Sequence, residues 1–171
     1  MSIPLVPLEN VPSHGMTVPV GPWADARAAD AMEGPVRSLA GTLEITRDGR
    51  DLRVTGVIDA TAEVPCDRCG IPVVLPVHSD VDCLYAAPRA EGEALPEDGA
   101  EDIGDYDGVA LDLAHVVGET LALDRPTRVR CADVDAHADD ACLARWRAAA
   151  GPSAPKGDPR FDVLARFSTS H

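Results

Sequence analysis

Two cysteines in the first half of the chain have the spacing of a metal-binding turn. Cys66 and Cys69 are separated by Asp67-Arg68 and followed at once by Gly70. Two thiols at this spacing can lie on one side of a tight turn, and a glycine tolerates the positive φ needed there. Backbone N–H groups of such a turn can point at the sulfurs. The spacing predicts that this turn supplies half of a tetrahedral zinc site.

A second group of ligand-type residues lies farther along the chain. It consists of Cys131, His137 and Cys142. Cys142 is the best third ligand. Cys131 is favoured over His137 as the fourth, because thiolate-rich sites bind zinc well. Cys131, next to Val129, also fits a buried thiol, so the choice of the fourth ligand stays open.

Other interpretations of the cysteines remain. The first pair can be free thiols or a redox dithiol, although thioredoxin-like pairs start a helix after a strand, whereas strands are predicted on both sides here. Cys83 falls on the same predicted strand face as Val81 and Tyr85, which predicts a core residue.

Length and cysteine usage narrow the class of protein. A chain of 171 residues, 45% of them hydrophobic, can bury one main core. Its five cysteines are odd in number and unevenly spaced, which favours metal binding or free thiols over a disulfide framework. We see no signal peptide and no apolar run long enough to cross a bilayer, so we expect a cytoplasmic protein without a membrane role.

The charge of the chain bears on its partners. A formal net charge of −14 repels phosphate backbones, since nucleic-acid affinity depends on Lys and Arg neutralising phosphates. The same charge attracts basic proteins. The sequence has no nucleophile–base–acid pattern and no phosphate-binding glycine loop. We therefore expect binding and not enzymatic catalysis.

Predicted strands position the first cysteine pair. Apolar and polar residues alternate on both sides of Asp48-Gly49, which predicts a hairpin. Its second strand runs into the cysteine turn, and a third strand is predicted from Val73 to Tyr85, interrupted by Pro76. We predict an α+β fold, with an antiparallel β-sheet over about residues 38 to 85, the CxxC turn at a hairpin tip, and flanking helices.

Helical patterns occupy the remaining segments. Helices are predicted over residues 23–32, 112–123, 139–150 and 158–167. His115 and Glu119 lie four positions apart and are expected to form a surface pair. Cys142 is expected in the first turn of its helix, where the helix dipole favours a thiolate.

The chain divides into an N-terminal segment, residues 1–36, and a main domain, residues 37–167. Within that domain, residues 86–108 carry eight carboxylates and no basic residue after Arg89. This composition predicts a mobile acidic loop. The loop is either a solvated insertion or a docking surface for a basic partner.

Several segments follow one another in a familiar order. They are the strand ending in Val64-Pro65-Cys66-Asp67-Arg68-Cys69, an acidic loop, the helix Asp112 to Leu123 with Gly118-Glu119-Thr120-Leu121 and a following Pro126, the His137 and Cys142 cluster, and a closing Asp158-Pro159-Arg160-Phe161 with Leu164. In this order they resemble the YceD family of large ribosomal RNA subunit accumulation proteins. The resemblance covers about residues 38–167.

The resemblance implies a non-catalytic ribosome-assembly factor that supports synthesis, processing or stability of large-subunit rRNA. Its implied partners are ribosomal proteins or pre-large-subunit particles. Direct rRNA contact stays open, through a basic stretch at Arg125, Arg128 and Arg130. The alternative function is a thiol-based redox sensor or oxidoreductase that uses Cys66 and Cys69. Zinc content and thiol reactivity separate the two.

Overall fold

The structure, a computed structural model, describes residues 5–89 and 103–150. The strands of these residues are β1 (Leu5–Pro7), β2 (Met16–Val20), β3 (Val36–Asp48), β4 (Asp51–Pro65), β5 (Pro72–Ala86), β6 (Ile103–Asp105) and β7 (Ala110–Asp112). Their α-helices are α1 (Asp25–Met32), α2 (Leu113–Asp124), α3 (Cys131–Val134) and α4 (Asp139–Ala150). The predicted helix at 158–167 lies outside the described residues.

The strands form one large and one small sheet. The large sheet has the order β2-β3-β4-β5-β6. Its first four strands are antiparallel, and β6 pairs with β5 in parallel. β1 and β7 form a separate antiparallel pair. Antiparallel sheets with several helices confirm the predicted α+β class.

The long β3–β4 hairpin closes at the predicted turn. Asp48 pairs with Asp51, so Gly49 and Arg50 form the two-residue connection, and Gly49 has the positive φ of +60° that such turns need. Farther along the hairpin the two backbones approach closely at Gly56, where a Cβ would lie 2.1 Å from the carbonyl oxygen of Thr42. A side chain at Gly56 would push the strands apart.

One face of the large sheet is buried against helices α1 and α2. The period-two pattern of β4 turns Leu52, Val54 and Ile58 to this face, and each is fully buried. From the helices, Met32 and Leu121 reach the same core and are also fully buried. The alternation of apolar and polar residues in the sequence therefore identified the buried face correctly.

Residues 5–36 contribute to the same core. β2 adds an edge strand beside β3, over the register Met16↔Ile45 to Val20↔Gly41. Helix α1 packs on α2 and contributes the buried Ala28. It ends at Glu33, which has a left-handed backbone.

None of the described helices combines the length and apolar character that crossing a bilayer demands.

The third strand of the hairpin region continues through Pro76, where the sequence predicts an interruption. Pro76 pairs with Thr61 of β4. On its other side β5 is an edge strand at this point, because β6 pairs only with its last residues, from Leu84 onward. A proline is tolerated where its missing N–H would have faced solvent. The predicted interruption is therefore wrong.

The acidic segment, residues 86–108, is ordered at its ends, where the sequence predicts a mobile loop. β6 pairs with β5, and the buried Tyr106 donates from its hydroxyl to the backbone carbonyl of Arg50. The loop prediction is wrong for residues 103–106, because an acidic average over the whole segment hides a three-residue strand. Residues 90–102 lie outside the described residues.

Candidate metal centre

The first cysteine pair lies in the connection between β4 and β5, residues 66–71, here called the CxxC turn. The hairpin ladder ends at the pair Pro65↔Pro72. Two backbone bonds close the turn: Gly70 N–H donates to the carbonyl of Cys66 at 2.8 Å, and Cys66 N–H donates to that of Ile71 at 2.9 Å. Gly70 has a φ of +73°, the left-handed conformation expected of this glycine.

A reciprocal pair of bonds holds the CxxC turn to the segment that precedes α3. This connecting segment comprises residues 125–130. Asp67 N–H donates to the carbonyl of Val129 at 2.8 Å, and Val129 N–H donates to Asp67 Oδ2 at 2.6 Å. The next residue but one, Cys131, begins α3. The two bonds therefore place the Cys131 thiol beside the turn.

Two ion pairs fix the rest of this region. Arg125 forms two contacts with Glu33 at the end of α1, at 2.8 and 2.9 Å. Arg68, inside the CxxC turn, contacts Asp139 at 2.5 Å. Asp139 begins α4, whose first turn carries Cys142 as the sequence predicts. The Arg68 contact therefore brings the start of α4 to the turn.

The four cysteines of these elements meet in one place. The sulfurs of Cys66, Cys69, Cys131 and Cys142 all lie within 4.8 Å of one another. Two of the separations cross between the two segments, at 3.7 Å from Cys66 to Cys142 and 3.6 Å from Cys69 to Cys131. All four are free thiols, and three are buried. This cysteine cluster could hold one metal ion.

The remaining ligand candidates lie elsewhere. His137 is exposed and does not belong to the group of close ligand atoms. Its backbone N–H donates to Asp135 at 3.0 Å. Cys83, which the sequence predicts in the core, is half-buried and packs against the main core.

The CxxC turn lowers the pKa of its own thiols. Burial raises the pKa of Cys66, but backbone N–H groups, with that of Cys69 the strongest, outweigh it and lower the value to about 6. The backbone N–H of Ile71 is the largest cause of a lowered pKa at Cys69. These two thiols therefore favour the thiolate form that metals bind.

The pKa values of the two downstream thiols, Cys131 and Cys142, are raised and not lowered. Burial, followed by contact with Cys66 and Cys69, raises the pKa of Cys131 to about 12. Burial also raises the pKa of Cys142. The Arg145 guanidinium lies 3.9 Å from the Cys131 sulfur and adds a positive charge beside the cluster. Binding of a cation would therefore release protons from this second pair.

Sequence reasoning missed the residues that join the two halves of the cluster. Asp67 and Arg68 stand between the first two cysteines and bind the connecting segment and α4, respectively. Arg145 is one turn after Cys142 on α4. The only sequence signal for Asp67 and Arg68 is their place between the two cysteines of the CxxC motif.

The segments that form the cysteine cluster lie within the part of the chain that matches a known protein family. A family model described as Large ribosomal RNA subunit accumulation protein YceD matches residues 54–168, most of the chain. The chain belongs to the YceD family. The matched range begins within β4 and includes all four cysteines of the cluster. Neither a curated protein nor a solved structure is similar enough to count as a match.

Proposed function

We propose that this member of the YceD family is a cytoplasmic, non-catalytic ribosome-assembly factor whose cysteine cluster binds a structural zinc ion. It supports the synthesis, processing or stability of large-subunit rRNA. The zinc holds the CxxC turn to the C-terminal part of the domain, and an acidic sheet face binds a basic ribosomal protein. The observation that supports zinc binding is that four thiols from two segments far apart in the sequence lie close together.

The spacing of the sulfurs supports zinc. Four thiolates at about 2.3 Å from one Zn²⁺ form a tetrahedron with edges of about 3.8 Å. The separations of 3.7 Å from Cys66 to Cys142 and 3.6 Å from Cys69 to Cys131 are close to that edge. Four protein ligands leave no open coordination position for substrate or water, which is typical of structural sites and not of catalytic ones.

The surroundings of the cluster support a structural role. Within the described part of the chain, only Cys69, Val73 and Ala138 pack as partly buried apolar residues beside the buried thiols. So small a cluster buries too little apolar surface to order a segment by itself. Zinc bonds to four ligands would supply the missing stabilisation.

An acidic surface on the other side of the large sheet supports the second half of the proposal. Opposite the helices, β3, β4 and β5 present a row of side chains in register: the exposed Glu44 pairs with the half-buried Thr55, and Thr55 pairs with the exposed Asp82. In the next row Val57 pairs with Asp80, and both are exposed. We call this surface the acidic sheet face.

The acidic sheet face carries more negative charge than its own cations neutralise. Arg53 pairs with Asp82 at 2.9 Å, and His78 contacts Asp59 at 2.7 Å. Asp80 has only the distant imidazole of His78, at 3.9 Å, for a partner in the described residues. A flat acidic face with Val57 exposed near its centre fits a basic protein better than a nucleic acid.

Affinity purification from growing cells tests this function. A tagged chain is expected to recover pre-large-subunit particles or free ribosomal proteins, and Glu44→Lys with Asp80→Lys should lose them. The matched control, Glu9→Lys with Asp30→Lys, changes the same charge at exposed positions away from this face and should retain them. Recovery of no ribosomal component by the unaltered chain would contradict the proposal.

Metal content separates this function from the redox alternative. One zinc per chain with protected thiols supports the structural site. A metal-free protein whose Cys66 and Cys69 cycle between dithiol and disulfide supports the thiol-based sensor or oxidoreductase instead.

A further inference from the structure

An open groove lies beside the cysteine cluster. It has a volume of about 560 Å³, and its walls come from the CxxC turn, the connecting segment and α4. Arg68 lines it from the turn, Arg128 and Arg130 line it from the connecting segment, and Leu143 and Trp146 line it from the helix. We call it the arginine–tryptophan groove. Its volume is that of pockets that hold small ligands or single residues of a polymer.

The groove is cationic in a chain whose net charge is −14. Its lining has three guanidinium groups and one carboxylate, that of Asp67. This carboxylate already accepts a backbone N–H at 2.6 Å, and Arg68 is held by Asp139. In contrast, no ion pair among the described residues includes Arg128 or Arg130. These two guanidinium groups are available to an anion.

Trp146 gives the groove an aromatic wall. Its side chain is 46% exposed, and Leu143 lies one turn earlier on the same helix. The other tryptophan, Trp23, instead packs against the main core and donates its indole N–H to the carbonyl of Pro19 at 3.2 Å. A single exposed indole is ordinary on a protein surface, but one that lines a cationic groove is a stacking platform for a planar group.

We propose that the arginine–tryptophan groove binds a short single-stranded segment of RNA. Arg128 and Arg130 contact successive phosphates, and one base stacks on Trp146. The inference rests on the proposed function in one respect, since it names large-subunit rRNA as the partner of the surface next to the zinc site.

The combination of groups favours RNA over an acidic protein. A peptide carboxylate would use the guanidinium groups and leave the indole of Trp146 without a role. A nucleotide uses both, because each one carries a phosphate and a flat base. The segment must be single-stranded, since bases inside a duplex are stacked on each other and cannot reach a side chain.

The number of phosphate contacts and the net charge of the chain determine how the RNA affinity should depend on salt concentration. The two phosphate contacts of Arg128 and Arg130 with a single strand give a slope of about −1.4 in a plot of log affinity against log salt concentration. Without both arginines the slope should fall to nearly zero. The negative charge of the remaining surface opposes the approach of RNA, so strong binding is expected only at low salt.

Fluorescence anisotropy of the zinc-loaded full chain with a labelled single-stranded RNA 12-mer tests the inference. Arg128→Gln with Arg130→Gln should weaken binding tenfold or more, and Trp146→Ala about fivefold or more. Arg27→Gln with Arg147→Gln removes the same charge at exposed positions outside the groove lining and should have a much smaller effect. Zinc content and thermal melting must be unchanged in each variant.

A second measurement reports on the stacking itself. In a Trp23→Phe background, RNA should quench the fluorescence of Trp146, while a glutamate peptide of equal charge should not. Equal weakening by the groove and control variants would overturn the inference, because RNA binding would then depend on overall charge and not on the groove. Equal competition by the glutamate peptide with no effect of Trp146→Ala would also overturn it and assign the groove to an acidic protein. Either result leaves zinc content and recovery of ribosomal proteins unaffected, so the proposed function is judged separately.

Discussion

The side chains that hold the large sheet to helices α1 and α2 are apolar, whereas those that hold the CxxC turn to residues 125–150 are mostly sulfur and charge. The first group fills a continuous core that includes Leu43, Ile58 and Leu121. The second has the four cysteines, the Asp67 bonds to Val129, and a few small apolar neighbours. Of the connecting segment, only Val129 reaches the main core.

This difference separates two sources of stability in one domain. Burial of apolar side chains stabilises the sheet and its helices under any condition in which the chain folds. In our proposal the cysteine cluster is instead stabilised by a bound zinc ion, because few apolar side chains surround it. We therefore expect removal of the metal to destabilise mainly residues 125–150. Mutations in the apolar core should destabilise mainly the large sheet.

Loss of a cluster cysteine should have the largest effect. Cys66→Ser or Cys142→Ser is expected to lower the free energy of unfolding of the zinc-loaded protein by several kcal/mol. Hydrogen exchange should rise in residues 125–150 and much less in β3 and β4. Thermal melting followed by circular dichroism, with hydrogen exchange resolved by segment, measures both.

Cys83→Ser is the matched control for that comparison. Cys83 is a half-buried cysteine outside the cluster, so its replacement should cost about 1 kcal/mol or less. Equal melting temperatures for Cys66→Ser, Cys142→Ser and Cys83→Ser would mean that the cluster contributes no ligand-dependent stability.

A core truncation should act on the other region. Ile58→Ala removes a fully buried side chain and should lower the free energy of unfolding by about 2–5 kcal/mol. The folded fraction should keep its metal, because Ile58 lies outside the cysteine cluster. Denaturant unfolding combined with metal analysis checks both parts. Loss of metal from folded Ile58→Ala protein would show that the two regions are not independent.

The link between the two regions should give an intermediate effect. Asp67→Ala removes the acceptor of the Val129 N–H at 2.6 Å and should cost about 1–2 kcal/mol, since a charge-assisted bond is lost. Asp67→Asn keeps an oxygen acceptor and should cost less. A smaller loss for alanine than for asparagine in urea unfolding would contradict this role of the carboxylate.

The smallest effect is expected on the acidic sheet face. The hydrogen bond and the negative charge of Asp59 raise the pKa of His78 above its usual value. The stability from this pair is therefore fully present below the ordinary histidine pKa of about 6.5 and is lost as pH rises through the raised value. NMR titration of His78 should give a higher pKa than in Asp59→Asn. The same pKa in both proteins would rule out the pair.

The sequence predicted those elements whose residues repeat with a regular period. The alternation around Asp48-Gly49 gave the β3–β4 hairpin and its buried face, and the spacing of apolar residues gave helix α2. His115 and Glu119 form the expected pair on this helix, at 3.1 Å. Strands β1, β6 and β7 escaped prediction because each has three residues, too few for a period.

The candidate site was predictable in its ligand types and not in its neighbours. The CxxC spacing of Cys66 and Cys69 and the downstream candidates Cys131, His137 and Cys142 identified the residues that could converge, with the fourth ligand left open. The contacts that bring them together, such as Arg68 to Asp139, join side chains far apart in the sequence, and no local pattern encodes them. The sequence likewise gave no sign that Trp146 has a role beyond its helix. The fold shows that it lines one groove together with Arg128 and Arg130.

Zinc analysis of the purified full chain by native mass spectrometry, with X-ray absorption at the zinc edge, decides whether the cysteine cluster is a zinc site. We expect one zinc per chain, with four sulfur ligands at about 2.3 Å, and loss of that zinc in Cys142→Ser. A protein that carries no metal when purified under reducing conditions with zinc present, or whose zinc has nitrogen or oxygen ligands in place of sulfur, would contradict it.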